Sequence, residues 1–346
     1  MPLPFDPPIA PMLAKLQPEI PIGEDWRYEP KWDGFRAIVF RDGSEIHIVS
    51  RDERPFERYF PELIPLFKEF LPKTCVVDGE IVIPGTEKLA FDALLLRIHP
   101  AASRVKMLSE TTPASFVAFD LLAHGSKDLR ETPLAKRRTL LEKSLGGYAI
   151  PGDATKRKVM SALRPAPRIA LTPHTDDPKL AKRWFEVFEG AGLDGVIAKK
   201  EDLHYRPGDR AMVKIKHRRT ADCVVGGYRL SKTGDGIGSL LLGLYDETGS
   251  LHYIGHTSAF KADERKRLLK DLKKLEGGSS FGGGRVPGGP SRWTGGRDVS
   301  WVPIEPILVL EVSYDYLQGN RFRHAAGFVR WRDDKKPKEC TLDQVL

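Results

Sequence analysis

Tyr28-Glu29-Pro30-Lys31-Trp32-Asp33-Gly34-Phe35-Arg36 runs directly into the apolar stretch Ala37-Ile38-Val39-Phe40 and a turn at Asp42-Gly43. The passage sets one lysine between two carboxylates, just ahead of a glycine and an arginine, at a point where two strands meet. Most lysines are solvated surface cations with a pKa of about 10.4. The weight of Lys31 therefore depends on what the rest of the chain supplies.

A chain of 346 residues is long enough for about two domains, each with its own core. Hydrophobic content of 40% and charged content of 29% place it among globular proteins. No apolar run approaches ~20 residues, so no membrane-spanning helix is expected. The start, Met1 to Pro8, has neither a basic n-region nor an apolar h-region, which argues against secretion. Cys75, Cys223 and Cys340 are far apart and odd in number, which signals neither a zinc site nor a disulfide framework and fits a reducing cytoplasm. With 55 basic against 47 acidic residues the formal charge is +8, which suits a polyanionic partner.

Working outward, Glu45–Ser50 alternates as a half-buried strand and Arg58–Phe70 carries helical spacing closed by Pro72. Cys75–Ile83, Phe116–Leu122, Gly195–Ala198 and Met212–Ile215 read as strands, Leu134–Leu145 and Lys179–Glu189 as helices. The texture changes near Arg218-Arg219-Thr220. Beyond it lie short strands at Cys223–Tyr228, Leu240–Tyr245, Leu251–Ile254, Pro306–Val312 and Gly327–Trp331, interrupted by a basic helix over Lys261–Leu275. The Gly/Ser/Pro-rich stretch Gly277–Gly296 reads as a loop. Five short strands with one helix predict a small barrel such as an OB-fold. The expected class is α+β, with a larger domain over residues 1–217 and a barrel over residues 218–346. About +5 of the net charge falls in the smaller domain.

Three charged constellations stand out. Asp78 and Glu80 interrupt an apolar strand at i, i+2 spacing, which puts both on one face and fits a shared site or a shared solvent face. A buried carboxylate costs several kcal/mol unless it is paired, hydrogen-bonded or metal-bound. Lys214 and Lys216 share a face in the same way, aimed at a phosphate or guarding an exposed strand edge. Arg206, Arg210, Arg218 and Arg219 extend that basic track, and the run Arg330 to Lys336 closes the chain as a motif or a solvated tail.

Their order resembles the motif series of covalent nucleotidyltransferases: Lys31-Trp32-Asp33-Gly34, Ser50-Arg51, Asp78-Gly79-Glu80, Phe119-Asp120-Leu121-Leu122, Asp194-Gly195-Val196-Ile197-Ala198-Lys199, Lys214-Ile215-Lys216 and Arg332-Asp333-Asp334-Lys335. The series spans Trp26 to Lys335. Within that superfamily the chain is similar to the short bacterial ATP-dependent DNA ligases, the ligase C group, and to the ligase domain of the ligase D group. Tyr205-Arg206-Pro207-Gly208 and Arg330-Trp331-Arg332 add to the likeness. No large DNA-binding domain precedes Trp26 in the chain, which favours the stand-alone group.

The resemblance implies an adenylation domain followed by an OB-fold, and a monomer that uses ATP with Mg²⁺ or Mn²⁺ on nicked double-stranded DNA, in repair. It makes Lys31 the nucleophile that takes AMP. Glu29 would lie at the adenine edge and Phe119 would stack on the base. Arg36, Arg51 and Glu80 would hold the ribose and phosphate region, and Lys199, Lys214 and Lys216 the α-phosphate. Glu80 and Asp194 would serve the metal, Asp194 through water because aspartate is one methylene shorter than the usual glutamate. Arg332, Asp334 and Lys335 would orient the pyrophosphate across a hinge near Arg218–Asp222. DNA would be held by the barrel, the basic helix, and Arg285, Arg292 and Arg297 in or beside the Gly-rich loop. Two alternatives share many of these features: an RNA ligase or capping-type guanylyltransferase, and a non-catalytic OB-fold nucleic-acid-binding protein.

Overall fold

The computed structural model describes residues 2–217, 219–278, 280–282, 287, 300–315 and 317–345. Arg218, Arg285, Arg292 and Arg297, with most of the Gly-rich stretch, lie outside the described residues. The chain divides into two compact units, Met1–His217 and Arg218–Leu346.

In the first unit the strands are β1 (Ala14–Gln17), β2 (Trp26–Trp32), β3 (Phe35–Asp42), β4 (Glu45–Ser50), β5 (Thr74–Val82), β6 (Ser115–His124), β7 (Lys127–Asp128), β8 (Ile169–Leu171), β9 (Leu193–Lys200) and β10 (Met212–Lys216). Its helices are α1 (Leu63–Phe70), α2 (Phe91–Leu96), α3 (Ala102–Thr111), α4 (Leu134–Leu145), α5 (Lys156–Ala162) and α6 (Pro178–Val187). They build two sheets. One has the order β1-β10-β9-β2, and the other β4-β3-β5-β6-β7 with β8 beside β6.

The opening stretch passes from one sheet to the other. Strand β2 ends at Trp32, Asp33-Gly34 makes the crossing, and β3 starts at Phe35 in the second sheet. Gly34 is required there, because a Cβ would stand 2.2 Å from the Ile81 carbonyl oxygen. Strand β3 then reads as an unbroken apolar run from Ala37 to Phe40 because both of its faces are covered there. Ala37 and Val39 join one core cluster with α1 and α4 residues, while Ile38 and Phe40 join another with Met12 and Tyr205.

Local chemistry explains where several elements stop. Pro61 separates a short 3-10 turn at Glu57–Tyr59 from α1, so the helical spacing over residues 58–70 is realised as two pieces. Helix α6 starts one residue earlier than its spacing suggests, with Pro178 in the first turn and the Asp177 carboxylate capping the Lys179 amide. Strand β10 is flanked by β1 and β9, so the reading of its lysines as guards of an exposed edge is set aside.

The second unit holds β11 (Arg219–Leu230), β12 (Ile237–Tyr245), β13 (Leu251–Thr257), α7 (Ala262–Leu272), β14 (Val302–Pro303), β15 (Val309–Tyr314), β16 (Leu317–Gln318), β17 (Arg321–Phe322) and β18 (Gly327–Trp331). Its five main strands run in the order β13-β12-β11-β15-β18. A parallel bridge between Thr257 and Ala326 joins the two ends, and α7 lies in the connection between the third and fourth main strands. That is an OB-fold, closed around its own core of Val224, Leu241, Leu242, Ile254, Leu310 and neighbours.

Candidate active site

A cleft in the first unit is lined from both sheets. The first contributes Glu29, Lys31, Ile197, Lys199, Met212 and Lys214, the second Arg36, Glu80 and Phe119. Arg51, Arg210 and the segment Pro11 to Ala14 complete its wall.

Lys31 reaches this wall through an irregularity in the β2–β9 ladder. Pro30 pairs with Val196 and Trp32 with Leu193, so one residue of β2, Lys31, faces two of β9, Asp194 and Gly195. This is a β-bulge, the device that re-aims a side chain within a ladder. Gly195 also stands opposite Lys216 on β10. Its φ is +140°, and a Cβ there would lie 1.9 Å from the Ile215 carbonyl oxygen. Gly195 is therefore a backbone requirement beside the lysine.

At one end of the cleft, Glu29 and Lys199 form a buried pair with Nζ donating to Oε2 at 2.7 Å. The Lys199 ammonium lies 5.0 Å from the Phe119 ring centre and the Arg36 guanidinium 4.4 Å from it. The sequence grouped Lys199 with Lys214 and Lys216. The structure seats it with Glu29 and Phe119, and β9–β2 pairing is the reason, since it brings residues 170 apart into contact. Behind Glu29 stands Arg138 of α4, its Nη1 3.9 Å from Glu29 Oε1. Both atoms are buried without a hydrogen-bond partner. The rest of the Arg138 guanidinium is fixed, donating to Glu142 at 2.9 Å and to the Thr172 carbonyl at 2.7 Å.

Arg36 is gripped from below. Its Nε and Nη2 donate to the two Asp78 oxygens at 2.5 and 2.6 Å, and the Tyr205 hydroxyl donates to Asp78 Oδ2 at 2.6 Å. Asp78 is fully buried, so the solvent-face reading of Asp78 and Glu80 is set aside. Breaking such a pair by removing one member costs on the order of 3–5 kcal/mol. Glu80 accepts from the Gly34 amide at 3.0 Å. Burial pushes its carboxyl up to about 7, against the pull of Arg36 and Lys31.

Lys214 faces the same space. Desolvation holds its ammonium below the usual lysine range, and the cations Lys216, Lys31, Arg210 and Arg51 add to that effect. Lys216 does not line the cleft, and Asp194 takes its place in the bulge. Arg332, Asp334 and Lys335 belong to the second unit, where all three are tied into one ion-pair cluster with Asp222.

Sequence reasoning missed four contributors: Asp222, the Pro11 to Ala14 wall, Arg138, and Tyr205 as the partner of Asp78. Tyr205 stands in the motif Tyr205-Arg206-Pro207-Gly208, which gives no sign of that partnership. Arg138 sits in a helix whose spacing gave no sign that it faces a glutamate 109 positions earlier.

Comparisons with known proteins agree on both units. Residues 11–216 match the family described as ATP dependent DNA ligase domain, and residues 233–335 match ATP dependent DNA ligase C terminal region. The chain is 50% identical over 359 residues to DNA ligase C2 of Mycolicibacterium smegmatis, covering 100% of this chain and 96% of that one. It is 49% identical over 357 residues to DNA ligase C of Mycobacterium tuberculosis, with the same coverage of 100% and 96%. Among solved structures, a Lig E DNA ligase superposes with a TM-score of 0.57 at 16% identity, covering 93% of this chain and 99% of that chain, a likeness of fold.

Proposed function

This chain belongs to the ATP-dependent DNA ligases, and from that membership we propose how its cleft performs the ATP-dependent step of sealing nicks in duplex DNA. Lys31 is the nucleophile. Its Nζ forms a bond to the α-phosphorus of ATP, the bond from that phosphorus to the bridging oxygen breaks, and pyrophosphate leaves with the electron pair. The amine must shed its proton first. The observation that carries this reading is the placement of Lys31 on the cleft wall beside a second lysine, Lys214, whose charged form is already disfavoured. A set of cations crowded around one space favours an anionic substrate there.

Roles for the other residues follow from their neighbours. Glu29, Lys199 and Phe119 form the base end, with Glu29 as the acceptor for the adenine amino group. Arg36, held by Asp78, and Arg51 bound the ribose. Lys214, with Lys216 behind it, neutralises the α-phosphate.

The donor set fits a hard divalent ion such as Mg²⁺ or Mn²⁺. Glu80 offers carboxylate oxygen on the cleft wall. Among the described residues no group of three acidic, His or Cys side chains is placed to cage a metal. Mg²⁺ asks for less, commonly one or two carboxylates plus substrate phosphates. Glu80 would hold it, with Asp194 acting through water, and the ion would supply further charge against the triphosphate.

Arg332, Asp334 and Lys335 orient the departing pyrophosphate, and the hinge that lets them act lies ahead of β11 rather than through Asp222, since Arg219–Asp222 are already paired strand residues. The barrel and α7 take up DNA through its phosphates, and the protein acts as a monomer in repair. The buried free thiols of Cys75, Cys223 and Cys340 suit a reducing cytoplasm.

Intact mass before and after ATP with Mg²⁺ tests the reading. The protein should gain one AMP, lose it on addition of pyrophosphate, and gain nothing as Lys31→Ala. An adduct that persists in Lys31→Ala would assign the nucleophile elsewhere.

A further inference from the structure

The second unit presents Arg332 and Lys335 in an arrangement that the motif alone does not explain. Arg332 Nη1 donates to both Asp222 oxygens, at 2.8 and 2.9 Å, while its Nε and Nη2 donate to Asp334 at 2.8 and 2.9 Å. Lys335 Nζ donates to Asp222 Oδ2 at 2.8 Å. One carboxylate therefore serves both cations. It comes from a different element, β11, more than a hundred residues earlier in the chain.

Asp222 is itself held at the backbone. Its amide donates to Gln344 Oε1 at 3.1 Å, and Gln344 Nε2 donates to its carbonyl oxygen at 3.3 Å. The side chain is 13% exposed, against 65% for Asp334, so Asp222 is the sheltered member of the pair. Sheltered, charge-assisted bonds to a clamped peptide fix geometry far better than exposed ones.

We propose that Asp222 is a positioning residue for the ATP-dependent step, holding Arg332 and Lys335 as one preoriented pair. The inference rests on the assignment of those two cations to the pyrophosphate. Without the shared carboxylate, two like charges three positions apart repel each other and lose their common anchor. The cluster, which carries two cations and two carboxylates, would gain a net positive charge at the same time. That charge favours anion binding, whereas the lost anchor disfavours productive geometry. Misplacement of a catalytic group by about 1 Å can cost roughly 100-fold in rate, so the loss of geometry wins.

The test compares single-turnover Lys31 adenylylation in the full-length wild type, Asp222→Asn, Asp222→Glu and Lys335→Ala. Asp222→Asn should slow the maximal rate by roughly 10- to 100-fold, with an apparent ATP KM that stays level or falls. Asp222→Glu should restore part of the rate. Sealing of a pre-adenylylated nick, which releases no pyrophosphate, should stay within about threefold, a pattern that general structural damage would not give. If Lys335→Ala is slow while Asp222→Asn is unchanged or faster, the positioning role is overturned and the pyrophosphate assignment stands. If Lys335→Ala is itself as fast as wild type, that assignment falls and the inference with it. Should Asp222→Asn fail to fold, Gln344→Ala keeps all four charges and frees the Asp222 peptide, at the loss of one further bond to the Thr341 carbonyl. A slower rate there supports the role, and an unchanged rate overturns it.

Discussion

Glu80 lies where burial and charge pull in opposite directions. Desolvation dominates, so its carboxyl rises from the ordinary 4.5 to about 7 despite Arg36 and Lys31 nearby. The sign of the consequence follows from linkage. Between those two values the folded protein still binds a proton that the unfolded chain has released, so this group lowers stability as pH rises through the window. The full effect is about 3 kcal/mol at 1.36 kcal/mol per unit, and residual solvent contact reduces it. Urea unfolding of AMP-free protein at pH 5 and pH 8 checks this against Glu80→Gln. Wild type should lose about 1–3 kcal/mol more than the variant over that interval. Parallel losses in the two proteins would mean that Glu80 is not desolvated in solution. A cation near the carboxylate would reverse the penalty, so adding Mg²⁺ with ATP should bring the two proteins together at pH 8.

At the scale of elements, the bulge between β2 and β9 joins the lysine to its surroundings. Gly195→Ala puts a methyl group against the Ile215 carbonyl and asks alanine to hold a φ of +140°. The expected cost is at least about 2 kcal/mol. Lys31 adenylylation should fall further than stability alone explains, because β9 and β10 must part at Gly195, which stands opposite Lys216 and in the bulge opposite Lys31. Thermal melting alongside the mass assay separates the two effects, and a variant with normal melting and normal adenylylation would refute the account. Much of this element was legible in the sequence. The apolar runs at residues 75–83 and 195–198 gave their strands. The illegible part is pairing over distance. Asp78 is matched by Arg36 42 positions away, Lys199 by Glu29 170 positions away, and Arg332 by Asp222 110 positions away. Periodicity says which face a side chain occupies and nothing about which charge will meet it. Short elements such as α2, α5 and β8 also escaped, because six or seven residues, or three, carry too little periodicity to be read.

At the scale of the whole molecule, the four core clusters formed by the described residues divide between the units. Three of them draw only on residues of Met1–His217 and one only on residues of Arg218–Leu346. Hydrophobic burial is non-directional but local, so each core stabilises the unit whose residues it contains. Leu241 makes a sharp probe. It is fully buried in the barrel core, on a strand flanked by β11 and β13. Leu241→Ala removes three carbons from a packed interior and should cost about 2–5 kcal/mol. If the two cores are energetically separate, hydrogen exchange of the most protected amides in residues 219–345 should speed up by roughly 30-fold or more, while amides of β3, β5 and β6 keep their wild-type rates. Matching acceleration in both units would instead show one cooperative molecule, in which a lesion in the barrel is felt at Lys31. The separate outcome leaves the adenylation cleft intact while Arg332 and Lys335 lose their scaffold. The variant should then retain the Glu80 pH response and lose the ATP-dependent step, a combination that one cooperative core could not produce.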